Sequence, residues 1–153
     1  MSEIHFDDPN FEHRAWNNLS AYGQSKTANI YMANYIDRTY GRQGLHAWSL
    51  QPGGIISNLV RRPEEEKKEM FKNPAILPWL KTPQQGAATS VWAAVARDLE
   101  GKGGRYLESM QEIGEWNGPE ERRIDWTDPG YASYAYDEEK ENRLWALSEK
   151  LIG

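Results

Sequence analysis

Apolar residues at Ile30, Ala33, Ile36 and Tyr40 recur at helical spacing, which predicts an amphipathic helix with its stripe turned toward a sheet. Ser20 is the expected cap, the helix runs to about Tyr40, and Gly41 and Gly44 end it. Tyr31, Tyr35 and Tyr40 read as packing residues of this helix. The apolar run at residues 45–50 predicts a strand, and Pro52-Gly53-Gly54 a turn after it. Thr82-Pro83-Gln84-Gln85 has the make-up of a capped helix start, with Ala87, Ala88, Val91, Trp92 and Val95 as the expected buried face. A glycine turn then leads to a short strand at residues 105–107, so strand, helix and strand follow in the order of a parallel crossover. Turns at Asn117-Gly118-Pro119 and Asp128-Pro129-Gly130 mark a mostly irregular stretch with a charge cluster at residues 120–123. Asp137-Glu138-Glu139 opens a last helix that carries Leu144, Leu147 and Leu151 on one side.

Residues 58–81 change character. Glu64 and Lys68 can pair one helical turn apart, and Met70, Phe71, Ile76, Leu77, Trp79 and Leu80 offer either an apolar pocket wall or local packing.

A length of 153 residues suits a single domain, 1–153, but the pattern supplies few strands, so the core is expected to be incomplete. An apolar strand at residues 45–50 with an open sheet edge would favour self-association through that edge. The net charge of −5, with no basic patch interleaved with aromatics, argues against nucleic-acid binding. The absence of cysteine excludes disulfides, thiolate nucleophiles and Cys-ligated zinc, and His5, His13 and His46 lack ligand spacing, so no metal site is expected. No apolar run has the length of a membrane span, and a cytoplasmic location is the expectation. The 7 Trp and 8 Tyr raise a carbohydrate-stacking module as a further class, but they are dispersed along the chain.

The candidate chemistry lies in the first helix, where Tyr22 and Lys26 are four residues apart and share a face. One turn, about 6 Å of rise, separates them, close enough for an ammonium to stabilise a phenolate. A free tyrosine titrates near pH 10, so such help is needed before a phenol serves as an acid or base. Spacing alone is common, and its plain alternative is a half-buried aromatic beside a solvated cation.

Four segments set this pair in context: Ile4-His5-Phe6-Asp7-Asp8, Ala21-Tyr22-Gly23-Gln24-Ser25-Lys26-Thr27-Ala28-Asn29-Ile30, Pro52-Gly53-Gly54-Ile55-Ile56-Ser57 and Lys81-Thr82-Pro83-Gln84-Gln85-Gly86-Ala87-Ala88. Together they resemble the C-terminal half of a short-chain dehydrogenase/reductase, closest to the retinol-dehydrogenase-like branch. Gly103-Gly104-Arg105-Tyr106-Leu107 and Leu144-Trp145-Ala146-Leu147-Ser148-Glu149 resemble that family's last core strand and closing helix.

The resemblance implies an α/β fold, the second half of a Rossmann-like doubly wound parallel sheet, with the first βαβ nucleotide-binding half missing. It implies an oxidoreductase using NAD or NADP to interconvert an alcohol and a carbonyl on an apolar small molecule. Tyr22 would pass the proton, and Lys26 would lower the phenol pKa and hold the nicotinamide ribose. Pro52 and Gly53 would border the ring, with the Ile55 backbone and the Ser57 hydroxyl at the carboxamide. The Gly-rich pyrophosphate cradle and the catalytic Ser of the family have no counterpart here, since Gly101-Lys102-Gly103-Gly104 follows the catalytic helix and lacks the third glycine. Impaired cofactor affinity is therefore expected, and a non-catalytic remnant or partner-binding fragment is the alternative.

Overall fold

The structure, a computed structural model, describes residues 2–57, 65, 72–74, 76–118 and 128–153. The expected Glu64–Lys68 pair, the wall residues Met70 and Phe71 and the charge cluster at 120–123 lie outside the described residues.

Helix α1 (Asn18–Tyr40) starts earlier than expected: the side chain of Asn17, not Ser20, caps it, accepting from the Ser20 amide at 2.8 Å. Asn caps as well as Ser does and comes first along the chain. Gly23, Thr27, Tyr31 and Asn34 form its buried face, with Ala33 beside them. The expected stripe is therefore shifted, with Ala33 buried and Ile30, Ile36 and Tyr40 only half-buried. Tyr31 is fully buried and donates to the Tyr134 carbonyl at 2.7 Å; burial pushes its phenol up to about 12. A short 3-10 turn (Gly41–Gln43) ends the helix, and Gly44, at φ +86°, reverses the chain.

Next come β1 (Trp48–Gln51), β2 (Gly54–Ile55), β3 (Leu80–Lys81), α2 (Pro83–Val95), β4 (Arg105–Glu108), β5 (Gln111–Glu112) and α3 (Glu138–Ile152). Strands β1 and β4 pair in parallel, with Trp48 opposite Arg105. The hairpin at Ser109 and Met110, both at positive φ, folds β5 back antiparallel, so the sheet β1-β4-β5 is mixed rather than all-parallel. Strands β2 and β3 form a separate parallel pair.

Helix α2 has its capping box, with Thr82 Oγ1 accepting from the Gln85 amide and Gln85 Oε1 from the Thr82 amide. Its buried residues are Gly86 and Thr89; of the expected apolar face Ala88 and Trp92 are half-buried, whereas Ala87 is exposed, Val91 58% exposed and Val95 73%. The helix approaches β2 through a glycine, and the described sheet is too narrow to cover the larger side chains. A Cβ at Gly86 would lie 2.3 Å from Ile55 Cδ1. Gly86→Ala is expected to cost about 1–3 kcal/mol through overpacking, read from the midpoint of urea denaturation.

Helix α3 begins at Asp137, whose side chain accepts from the Lys140 amide at 3.1 Å. Leu144 is buried, Leu147 half-buried and Leu151 exposed. Against α1, Tyr35 stacks on Trp145 with ring centroids 4.3 Å apart. Glu141, 3% exposed, accepts from Asn34 Nδ2 at 3.0 Å and from Arg38 Nη1. With Leu99, Tyr106, Leu107 and Ala135, these contacts form the core.

Candidate functional site

The two ends of α1 can be located against the sheet. Asp37 packs against Gly103 and Gly104, where the Gly104 amide donates to the Ala47 carbonyl at 2.8 Å, so the C-terminal part of α1 lies at the amino ends of β1 and β4. Helix α1 packs along β1 and the connection between them is short, so the helix runs back toward the strands' carboxyl ends. Lys26 precedes Asp37 by 11 residues, about 16 Å of helix, and Pro52 follows Ala47 by five, about 16 Å of strand. The part of α1 that carries Tyr22 and Lys26 is therefore the part directed toward the carboxyl ends of β1 and β4.

Tyr22 is 56% exposed, and Lys26 Nζ lies 5.1 Å from its ring centroid, over the ring face. Ser25 Oγ donates to the Tyr22 carbonyl at 2.8 Å. The phenol thus faces solvent from the first turns of α1, beside an exposed cation on the same face.

Pro52, Gly53 and Ile55 are half-buried, as is Ser57. Gly53 has φ +94°, and a Cβ there would lie 3.0 Å from the Lys81 side chain. Lys81 stands opposite Ile55 in the β2–β3 register, accepts the Ile56 amide at its carbonyl at 3.1 Å and donates through Nζ to Ser109 Oγ at 3.1 Å. Near it, burial raises the pKa of Glu108, opposed by the Gly130 amide and the Lys81 charge. Lys81 and Glu108 at this strand end were not singled out by the sequence, because they converge only through pairings of two-residue strands.

A second unanticipated group braces the approach to Tyr22. The Asp8 carboxylate accepts from the Glu12 and His13 amides at 2.6 and 3.2 Å and pairs with Arg14 at 3.4 Å. Arg14 donates to Gln24 Oε1 at 2.9 Å, and Gln24 Nε2 to the Pro9 carbonyl at 2.6 Å. The loop so held presents Trp16, 67% exposed, with Phe11 tilted against it at 4.8 Å. Burial alone would raise the Asp8 pKa, but the two amides and the Arg14 charge outweigh it and lower the value. A depressed carboxylate stabilises the fold above its unfolded pKa and loses that contribution as pH falls through the folded one. Below about pH 4, taken from the ordinary Asp value, the Glu12 and His13 amides are therefore expected to lose hydrogen-exchange protection before α1 does.

No protein-family model matches the chain. A short-chain dehydrogenase/reductase of Penicillium roqueforti is 41% identical over 99% of this chain and 43% of its own length. An oxidoreductase of Penicillium decumbens is 36% identical, with 99% and 44% covered, and a probable oxidoreductase of Streptomyces lividans 37%, with 92% and 47%. The chain thus spans less than half the length of the curated relatives it matches. Among the described residues no helix is long and apolar enough to cross a membrane. Over nearly all of its residues, the chain belongs to the short-chain dehydrogenase/reductase family, matching the C-terminal half of its members.

Proposed function

We propose that the chain carries the proton-transfer half of an NAD- or NADP-dependent oxidoreductase that interconverts an alcohol and a carbonyl on an apolar small molecule. The observation that carries this reading is the solvent-facing Tyr22–Lys26 pair on α1, a helix that packs along β1, with the positive-φ Gly53 turn following that strand's carboxyl end. That is the end at which open α/β sheets bind ligands. Gly53 takes a positive φ, and the lack of a Cβ there makes room for the Lys81 side chain beside the turn.

When bound, the nicotinamide cofactor supplies or takes the hydride. Tyr22 Oη would hold the proton that moves to or from the substrate oxygen, and the Lys26 ammonium would donate to a ribose hydroxyl. Pro52 and Gly53 would border the ring, while the Ile55 backbone and the Ser57 hydroxyl would hold the carboxamide. Exposed Trp16 supports the apolar substrate class, as does the retinol-dehydrogenase-like resemblance. The fold follows as the second half of a doubly wound sheet, in a cytoplasmic protein.

The alternative is a non-catalytic remnant or partner-binding fragment of that fold. Titration of the purified chain with NADH and NADPH separates the two, followed by tryptophan quenching with circular dichroism as a check on folding. Saturable binding of either dinucleotide, weakened by the missing phosphate contacts, supports the oxidoreductase reading. A folded sample that binds neither dinucleotide overturns the oxidoreductase reading in favour of the remnant.

A further inference from the structure

The turn between β4 and β5 is built from residues that such a turn does not favour. Glu108 stands opposite Gln111, which leaves a two-residue loop, and both of its residues are left-handed, Ser109 at φ +50° and Met110 at φ +58°. Two-residue loops with this backbone are type I′ turns, where Asn and Gly predominate because most side chains are crowded at positive φ. Met110 does not recover that cost by burial, since it is 53% exposed. The conformation is instead held from outside the turn. Thr89, buried on α2, accepts the Met110 amide at Oγ1 at 3.3 Å, and Lys81 Nζ donates to Ser109 Oγ at 3.1 Å. The same Lys81 side chain lies against Gly53, and Gln51, which leads into the Pro52-Gly53 turn, stands opposite Glu108 in the β1–β4 register. The strained hairpin and the Gly53 turn are thus neighbours at the carboxyl ends of two parallel strands, tied by one lysine.

We propose that Met110 is a specificity-determining contact for the apolar part of the substrate, presented beside the Gly53 turn by this pinned hairpin. Residues held in sparsely populated backbone regions cluster at ligand sites, where the surrounding structure imposes the conformation. Thr89 and Lys81 impose it here from two separate elements. An Asn at this position would serve the turn better, so the thioether side chain has no use in the hairpin itself. Methionine suits contact with a ligand, being unbranched, polarizable and able to follow an irregular apolar surface. The ligand class is a hydrocarbon chain or ring attached to the reacting hydroxyl or carbonyl. For the identity of that ligand the inference rests on the proposed oxidoreductase site; the strain, the exposure and the two pins stand without it.

The test is titration of the purified chain with decanol, in the absence of dinucleotide, followed by calorimetry and by nuclear magnetic resonance of isotope-labelled methionine methyl groups. The chain has 4 methionines, and the Met110 signal is the one that Met110→Asn removes. That signal is expected to shift saturably as decanol is added. Met110→Asn, which deletes the apolar side chain and tolerates positive φ, is expected to weaken decanol binding about tenfold while the midpoint of urea denaturation holds or rises, whereas Met110→Leu keeps the affinity within about twofold. Decanol uptake that leaves the Met110 signal in place overturns the proposal, as does no uptake at all or full affinity in Met110→Asn. A lowered urea midpoint in Met110→Asn assigns the side chain to the fold and overturns it too. Because no dinucleotide is present, a chain that takes decanol at Met110 yet binds neither NADH nor NADPH sinks the oxidoreductase reading alone. Dinucleotide binding with a silent Met110 sinks this inference alone.

Discussion

Tyr22→Phe is expected to lower turnover by about a hundredfold to ten-thousandfold, the range for removing a positioned general acid or base, while the far-ultraviolet circular dichroism stays unchanged. The ring keeps its place, because Phe preserves the aromatic body and the Lys26 ammonium over its face. Only the hydroxyl is lost, and Tyr22 is more than half exposed, so the fold does not lean on that oxygen. Steady-state kinetics on any alcohol or carbonyl turned over by the preparation gives the measurement, with dinucleotide affinity measured alongside. Full turnover in the variant would remove Tyr22 from the mechanism. A loss of binding with unchanged kcat would instead assign the phenol to substrate recognition.

Glu141→Ala is expected to destabilise the protein by about 2–4 kcal/mol. Breaking a buried ion pair costs about 3–5 kcal/mol, and here Arg38 is one-third exposed and recovers some hydration. The carboxylate is nearly fully buried and serves two donors on α1, the Asn34 amide and the Arg38 guanidinium, so its removal leaves a buried Asn34 N–H group without its acceptor. Glu141→Gln retains a carbonyl oxygen for Asn34 and is expected to lose about half as much. Urea denaturation followed by ellipticity gives both values. A loss under about 1 kcal/mol in the alanine variant would show that the stacked Tyr35 and Trp145 rings, rather than the polar clasp, hold α3 to α1.

Local signals in the sequence found the elements whose causes are local. The capping box of α2, the Asp137 cap of α3 and the glycine end of α1 each depend on a few adjacent residues, and each is present. One local expectation failed, since Asn17 and not Ser20 caps α1; the other failures came where the partner lies far along the chain. The buried face of α1 includes Asn34 because Glu141, more than a hundred residues later, satisfies it. The expected face of α2 stays open because its burial depends on how wide a sheet is available. In the candidate site, Tyr22, Lys26 and Gly53 are legible as a motif, whereas Lys81 is not, since its place beside Gly53 follows from a pairing of two residues with two. The Asp8 brace carried a signal that went unused: an acid followed four to six residues later by Glu12, His13 and Arg14 is a side chain able to fold its own loop.

The clasp between α1 and α3 also governs the order in which the chain can mature on a ribosome. Glu3, Asp7, Asn34 and Arg38 find their partners at Lys140, Arg143 and Glu141, more than a hundred residues downstream. At translation speeds of about 5–20 residues per second, α1 emerges roughly 5–20 s before the helix that seats it. Throughout that interval the groups that will seat α3, Tyr31, Asn34 and Tyr35, await their partners, and a nascent chain halted before residue 137 is a client for chaperones.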